Sequence, residues 1–464
     1  MVVGDIATGT EVLVVGAGPG GYVAAIRAAQ LDLDTTLVEK EAYGGTCLNH
    51  GCIPSKALIS ATDIAHEARE AENRGIHVDP AVHMGEMVDW KEGVVDQLTG
   101  GVEKLCKANG VNLIEGRAEF AGEHTVRVAH DGEGQGSESV EFEHAVVATG
   151  SRPVEIPNFA FDGEHVLSSR DALALEEVPE SLVVVGAGYI GMELSTVFAK
   201  LGTDVTVVEM LDEVLPGYEA DVARVVRERA EGLGIDFYFG EGAKDWEESG
   251  DGLTVRTENE EGDVAEFGAK KALVAVGRAP VTDTLNLDAV GLEPGEGSFL
   301  ETDDRARTVA GEPMLAHKGM AEGEVAAEVI AGEPAALDYQ TVPAVVFTDP
   351  EVATVGLTES EAAEMGFEPV VGRMPMRASG RALTLDDGDG FVRVVVDGAG
   401  EFVLGAQIVA PEASEMIAEL GLAVEMGATV EDVTATIHTH PTLAEAVMEA
   451  TANAQDRAIH TLNR

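Results

Sequence analysis

Short apolar runs that stop at glycine recur along the chain. Val12 to Val15 forms such a run and is followed by Gly16, Ala17, Gly18, Pro19, Gly20 and Gly21, then by an alanine-rich helical pattern from Tyr22 to Gln30. A second run, Thr35 to Val38, ends on Glu39. Strand, tight turn, helix and strand are the elements this pattern predicts. Leu182 to Val185, then Gly186, Ala187, Gly188, Tyr189, Ile190 and Gly191, a helical pattern to Lys200 and a strand ending on Glu209 repeat the whole unit 170 residues later. Between the copies, His66 to Gly110 carries apolar positions at helical spacing, while Gly116 to Phe120 and Val146 to Gly150 read as short strands and turns. Ala272 to Gly277 reads as a further strand, followed by Arg278. From Tyr339 onward, alternating strands (Phe391 to Val396, Phe402 to Val409) mix with helices (Ser414 to Met426, Thr442 to Ala454). Pro441 suits a first helical turn, which would put His440 at the mouth of that last helix.

This order predicts an α/β chain with two doubly wound dinucleotide-binding domains plus a C-terminal α+β dimerisation domain. The expected boundaries are 1-150, 151-270, a central segment 271-338 and 339-464. In each copy the glycines (Gly16, Gly18, Gly21; Gly186, Gly188, Gly191) serve the turn, the approach of a pyrophosphate and helix packing. Glu39 and Glu209 stand where a carboxylate accepts from a ribose hydroxyl. Met210 and Leu211 follow Glu209 with no arginine near to hold a 2′-phosphate, which favours NAD over NADP in the second copy. Two fingerprints imply two dinucleotides whose reactive rings meet between domains.

Composition narrows the setting. The 464 residues carry 84 Asp and Glu against 30 Lys and Arg, a formal net charge of −54. Such a field repels nucleic acid and anionic lipid, so neither is expected as a partner. High charge often accompanies disorder, but 45% hydrophobic residues and ordered motifs oppose that. The acid is spread rather than run into tracts, which argues against a calcium-buffering or acidic scaffold role. It reads as adaptation to a salt-rich cytoplasm, where repulsion is screened within about 3 Å at molar salt. With no basic or long apolar leader in Met1 to Thr10 and no membrane-length apolar run, a cytoplasmic location is expected.

Three cysteines in so long a chain exclude a disulfide scaffold. Two of them, Cys47 and Cys52, lie in the glycine-bracketed stretch from Gly44 to Lys56. In a straight helix they would sit about 7.5 Å apart along the axis, too far for a disulfide, so a bridge there requires a bent or overwound turn and would be easily reduced. On residues alone the pair is either a redox dithiol or two reduced core cysteines. Gly44 and Gly45 would let backbone pass close to a bound ring system. Cys106, in a helical pattern, reads as core.

In fixed order, these motifs (first fingerprint, Cys-x4-Cys, second fingerprint, terminal His440-Pro441 with Glu445) resemble the flavin-dependent pyridine nucleotide-disulfide oxidoreductases over nearly the whole chain. Gly51 to Lys56, Gly-Cys-Ile-Pro-Ser-Lys, is most similar to the branch that oxidises dihydrolipoamide; the glutathione and mercuric branches differ in their endings and nucleotide pockets. The resemblance implies FAD on the first fingerprint, with Glu39 and Lys40 at its adenosine and Ala118 and Gly150 giving backbone contacts. It implies NAD on the second, with Ala275 and Gly277 near the nicotinamide. Met314, Leu315 and Ala316 would open a helix facing the flavin, with Lys56 and Glu193 as an ion pair beside it. Cys47 would exchange with substrate and Cys52 would face the flavin. His440, oriented by Glu445, would be the base that generates a substrate thiolate and would enter the partner's site in a homodimer. His438 reads as structural. No metal is expected, and the implied protein partner is the lipoyl-bearing subunit of a 2-oxoacid dehydrogenase-type complex. A reductase of another small disulfide and a non-catalytic flavoprotein subunit are the alternatives.

One motif departs from this pattern. The family carries a strand ending Gly-Asp, whose aspartate holds the ribityl chain, shortly before the Pro313 to Lys318 segment; here Arg307 and Thr308 run directly into Val309 and Ala310. Either the chain has lost this strand or residues are missing between Thr308 and Val309, in which case the two are not bonded and FAD is poorly held.

The charge balance makes the first prediction. In salt well below molar, the dimer should weaken and activity decline as repulsion is unscreened; sedimentation and turnover measured across a salt series check this, and full stability in dilute buffer contradicts it.

Overall fold

The computed structural model describes residues 7–130, 136–306, 314–399 and 401–463. The junction of Thr308 and Val309 therefore lies outside the described residues.

The first unit is built on a six-stranded sheet in the order Asn112–Glu115, Thr35–Glu39, Ala7–Val15, Ser137–Val147, Thr125–Ala129, Arg117–Gly122. Its first four strands are parallel and its last two antiparallel. Thr35–Glu39 is buried along its whole length, as a central parallel strand covered on both faces must be. Leu285, Leu287 and Leu300 join Leu13, Val126 and Val128 in one apolar cluster, so the chain after the second unit returns to complete the first. The Ala316–Ile330 helix packs on the Pro19–Gln30 helix through glycines: a Cβ on Gly323 would stand 2.4 Å from the Gly20 carbonyl oxygen.

The second unit has a five-stranded parallel sheet in the order Asp236–Phe239, Asp204–Glu209, Ser181–Val185, Lys271–Val274, Val166–Leu167. A three-stranded antiparallel sheet, 242–269, is inserted between its strands. The expected boundary at 270 is thereby corrected. Lys271–Val274 pairs in the middle of this sheet, so the second unit runs past 270 to the ribbon formed by Ser151–Pro153 and Arg278–Pro280.

The third unit is a five-stranded antiparallel sheet (Ala344–Val346, Glu351–Gly356, Val403–Ala410, Phe391–Asp397, Pro369–Pro375) packed against helices Ala413–Glu425 and Glu445–Asn453. Buried Arg393 ties it to the second unit through Glu219 and Asp221. The last helix begins at Glu445, not at Thr442, and Pro441 lies before it in a loop rather than in its first turn. The physical reason is the cap: the Glu445 carboxylate reaches back to the Thr442 amide at 2.9 Å. Among the described residues no helix is long and apolar enough to cross a membrane.

Gly323→Ala should destabilise the protein by about 1 to 3 kcal/mol, the cost of overpacking, because the helices must part to admit the methyl group. The denaturation midpoint in molar salt checks this; an unchanged midpoint would mean the contact is slack.

Candidate active site

The two fingerprint turns share the same backbone conformation at their first glycine and the same close approaches. Gly16 and Gly186 hold φ of +100° and +103°, where a side chain is strained, and a Cβ would meet the carbonyl oxygens of Ala148 and Ala275 at 2.3 and 2.7 Å. Gly21 and Gly191 press on the carbonyls of Gly16 and Gly186. Gly18 and Gly188, the N-caps of the two helices, have nothing within 4 Å of a Cβ. An open cap at a helix N-terminus is what a pyrophosphate requires.

Each terminal carboxylate is held by its own turn. Glu39 accepts from the amides of Ala17 (2.6 Å) and Glu41 (2.8 Å), and Glu209 from those of Ala187 (2.7 Å) and Leu211 (2.8 Å). A carboxylate has lone pairs left after two such bonds, enough for a ribose. Beside Glu39 a cavity of about 550 Å³ is lined by Lys40, Tyr43, Thr99, Glu115 and Gly116. The residues therefore fit a dinucleotide in each unit. Gly150 (φ +69°) and Gly277 (φ +130°) follow equivalent strands, each two residues beyond the carbonyl met by the fingerprint glycine. Ala118 pairs with Val128 on the edge strand, its side chain buried in the apolar cluster, two residues beyond Gly116 of the cavity lining. Met314 and Leu315 precede the Ala316–Ile330 helix, which lies beside the first fingerprint helix.

The dithiol stretch grows out of the first turn. Gly44 (φ +92°) donates its amide to the Ala17 carbonyl at 2.8 Å, and a Cβ on Gly45 would fall 2.6 Å from the Gly18 Cα. The close approach made possible by these glycines is thus to the fingerprint itself. Cys47 lies on the short helix Gly45–His50 and Cys52 opens the helix Cys52–Glu70, the two breaking at Gly51. This break supplies the bend that the five-residue spacing demands.

Cys47 and Cys52 are near enough for a bond between their side chains to split their acidities. The bond from Cys47, helped by the charge of Lys56 one turn along the helix, brings Cys52 down to about 7 against the opposing effect of burial. The same bond, burial and the Cys52 charge push Cys47 up. Cys52 is the more acidic thiol of the two. Lys56 Nζ stands 2.8 Å from Glu193 Oε2 and 4.4 Å from the centre of the Phe347 ring. Glu193 also accepts from Ser55 Oγ (3.2 Å) and from the Phe347 amide (2.9 Å). The Lys56–Glu193 pair is therefore anchored on a buried carboxylate, with Lys56 half-buried, rather than laid on the surface. Cys106 is fully buried, and burial pushes its thiol up to about 11, as suits an inert core residue.

Tyr189 and Arg278 were not singled out by sequence for this site. Burial raises the Tyr189 phenol, with Glu193 and Cys52 adding to it and Arg278 opposing; burial lowers Arg278, which Tyr189 and Cys52 oppose. Arg278 bonds Ser151 through Nε (2.8 Å) and Nη2 (2.7 Å). Their positions, directly after Gly188 and Gly277 at the C-terminal ends of parallel strands, were the signal that could have found them.

His440 and Glu445 lie in the third unit. His440 Nδ1 is 2.9 Å from Glu445 Oε1, and its side chain is 80% exposed. Burial works against ionisation of Glu445, but the Thr442 amide and His440 hold it below the usual carboxylate range. His438 is buried against Glu419 (2.9 Å). Within one chain the dyad faces solvent, with Ile437, Ile459 and Leu462 exposed in the same unit.

A family model described as pyridine nucleotide-disulphide oxidoreductase matches residues 10–323, and that of the family's dimerisation domain matches residues 342–451. The chain belongs to this family. A protein named dihydrolipoyl dehydrogenase 2 from Haloarcula marismortui is 69% identical over 471 aligned positions, 99% of this chain and 100% of its own. Dihydrolipoyl dehydrogenase of Halobacterium salinarum is 68% identical over 474 positions, covering both chains in full. An end-to-end alignment longer than the 464 residues here means that relatives carry positions this chain lacks. Among solved structures, LpdA from Mycobacterium tuberculosis superposes with a TM-score of 0.88 at 29% identity, over 95% of this chain and 99% of that one. The family member thus carries both nucleotide-binding units and the dimerisation domain.

The reduced protein should be alkylated at Cys52 with a midpoint near pH 7, because the thiolate is the reacting form. Lys56→Met should move the midpoint upward by removing the charge that favours the thiolate; a midpoint that stays put would show that Lys56 does not act on Cys52.

Proposed function

We propose that this chain oxidises protein-bound dihydrolipoyl groups with NAD, using the Cys47–Cys52 pair and FAD, as a homodimer in a salt-rich cytoplasm. The observation that carries it is the Cys47–Cys52 pair, brought together by the break at Gly51 beside the Lys56–Glu193 clamp, in a family member 68–69% identical to proteins named dihydrolipoyl dehydrogenase. Gly16, Gly18, Gly21, Glu39, Lys40 and Gly150 would hold FAD, completed by the segment after Met314. Gly186, Gly188, Gly191, Glu209, Ala275 and Gly277 would hold NAD.

The chemistry of the protein's own groups follows. His440 Nε2 takes the proton of a substrate thiol while Glu445 fixes Nδ1 and stabilises the imidazolium. The substrate thiolate attacks Cys47 of the oxidised pair; the Cys47–Cys52 bond breaks and Cys52 leaves as a thiolate. A leaving thiol of low pKa departs faster, which is the use of Lys56. The second substrate thiol attacks the substrate sulfur of the mixed disulfide, closing the oxidised lipoyl ring and releasing Cys47, which keeps a proton. What FAD supplies when bound is a two-electron acceptor for the reduced pair and a hydride donor to NAD. Exposure of His440 in the single chain is the reason for placing it in the partner's site.

His440→Gln should slow the dithiol half-reaction by at least about 10²-fold, the effect of a lost general base, and the NAD half-reaction far less. Rapid-mixing kinetics of the two halves decides: equal slowing of both would point to misfolding and against this role. Reduction of glutathione in preference to lipoamide by the wild-type dimer would overturn the substrate assignment.

A further inference from the structure

The clamp beside the dithiol is doubled. Lys56 of the Cys52–Glu70 helix meets Glu193 of the Tyr189–Lys200 helix at 2.8 Å. Seven residues further along both helices, Asp63 meets Lys200 at 2.7 Å, with the charges exchanged between the helices. Equal steps of seven, close to two turns on each, mean that the helices run parallel and in register. Arg69 adds a third tie, donating from Nη1 to the Lys200 carbonyl at 2.8 Å.

The third unit straps both pairs. The Phe347 amide bonds Glu193 and its ring lies under Lys56; two residues on, Asp349 Oδ2 is 2.7 Å from Lys200 Nζ, while Arg229 takes Asp349 Oδ1 at 3.1 Å. Only 5% of the Lys200 side chain is exposed. An ammonium so enclosed is costly unless paired, and its carboxylate partners come from the other two units, Asp63 from the first and Asp349 from the third, with His66 nearby. Both helices begin at the reacting cleft, one with Cys52 and the other with Tyr189; Lys56 shares its helix with Cys52, so sliding one helix against the other moves Glu193, and with it the Lys56 ammonium it holds, relative to Cys52.

We propose that Lys200 is a positioning residue for the reacting dithiol: with Asp63 and Asp349 it fixes the register of the dithiol helix on the second fingerprint helix. It acts through Lys56 and touches neither thiol. This rests on the assignment of Cys47 and Cys52 as the reacting pair, but not on the identity of the substrate.

The test reads Cys52 directly, so its failure is distinct from a failure of the substrate assignment. In FAD-loaded Cys47→Ser protein in molar salt, the groups facing Cys52 are Lys56, Glu193, Tyr189 and Arg278, and its alkylation by iodoacetamide reports how Lys56 is placed. Adding Lys200→Met should lower the alkylation rate at neutral pH at least threefold and move the midpoint upward, while Lys200→Arg should restore the rate. Asp63→Asn, which leaves Lys200 paired with Asp349, provides a second route if the methionine variant does not fold, with the same direction expected. Alkylation profiles unchanged in folded Lys200→Met and Asp63→Asn proteins would overturn the proposal, leaving these residues as structural ion pairs alone.

Discussion

The buried carboxylate of Glu193 joins everything that matters in this molecule. Its side chain is 4% exposed and bonds a lysine and a serine of the dithiol helix and an amide of the third unit, while itself belonging to the second unit's fingerprint helix. A carboxylate taken from water without partners is unaffordable, so the three units must close on it together. Removing one member of such a buried pair costs about 3 to 5 kcal/mol. Helix spacing puts Lys56 one turn from Cys52, and the same closure holds its ammonium at Glu193, so packing bears on thiol acidity.

Around this interior the surface carries the opposite design. A net charge of −54 makes compactness depend on screening, whereas the pairs at Glu193 and Lys200 lie inside, where salt screens them far less. The pairs that hold geometry are each anchored on a buried group, Glu193 or Lys200, while the surplus of acid is left to the solvent. The protein can therefore live in concentrated salt without losing the contacts that align its thiols.

Much of this was legible in sequence because the two fingerprints repeat at a constant offset and glycine is required where they place it. Gly16 and Gly186 sit in the left-handed region against a carbonyl, and no other residue type meets both demands. The dithiol was legible for the same reason, since only a break such as that at Gly51 lets a five-residue spacing bring two sulfurs together. Tertiary facts were not. Lys271–Val274 reads as a new segment until its parallel partners are seen, and the last helix starts late because Glu445 caps it from within. Lys200 and Asp63 are ordinary surface residues in sequence; only the parallel register of two helices 137 residues apart pairs a buried Lys200 with a part-exposed Asp63.

Most directly at stake is whether electrons leave a dihydrolipoyl group through Cys47 and Cys52. The decisive measurement is an anaerobic visible-absorption titration of FAD-loaded protein in molar salt, with dihydrolipoamide added first and NAD second. The account predicts that the dithiol perturbs the flavin spectrum, that NAD reverses the change with one NADH formed per dithiol, and that Cys47→Ser abolishes both steps while leaving FAD bound. A flavin spectrum indifferent to dihydrolipoamide, or NADH formed at the wild-type rate by the Cys47→Ser protein, would contradict it.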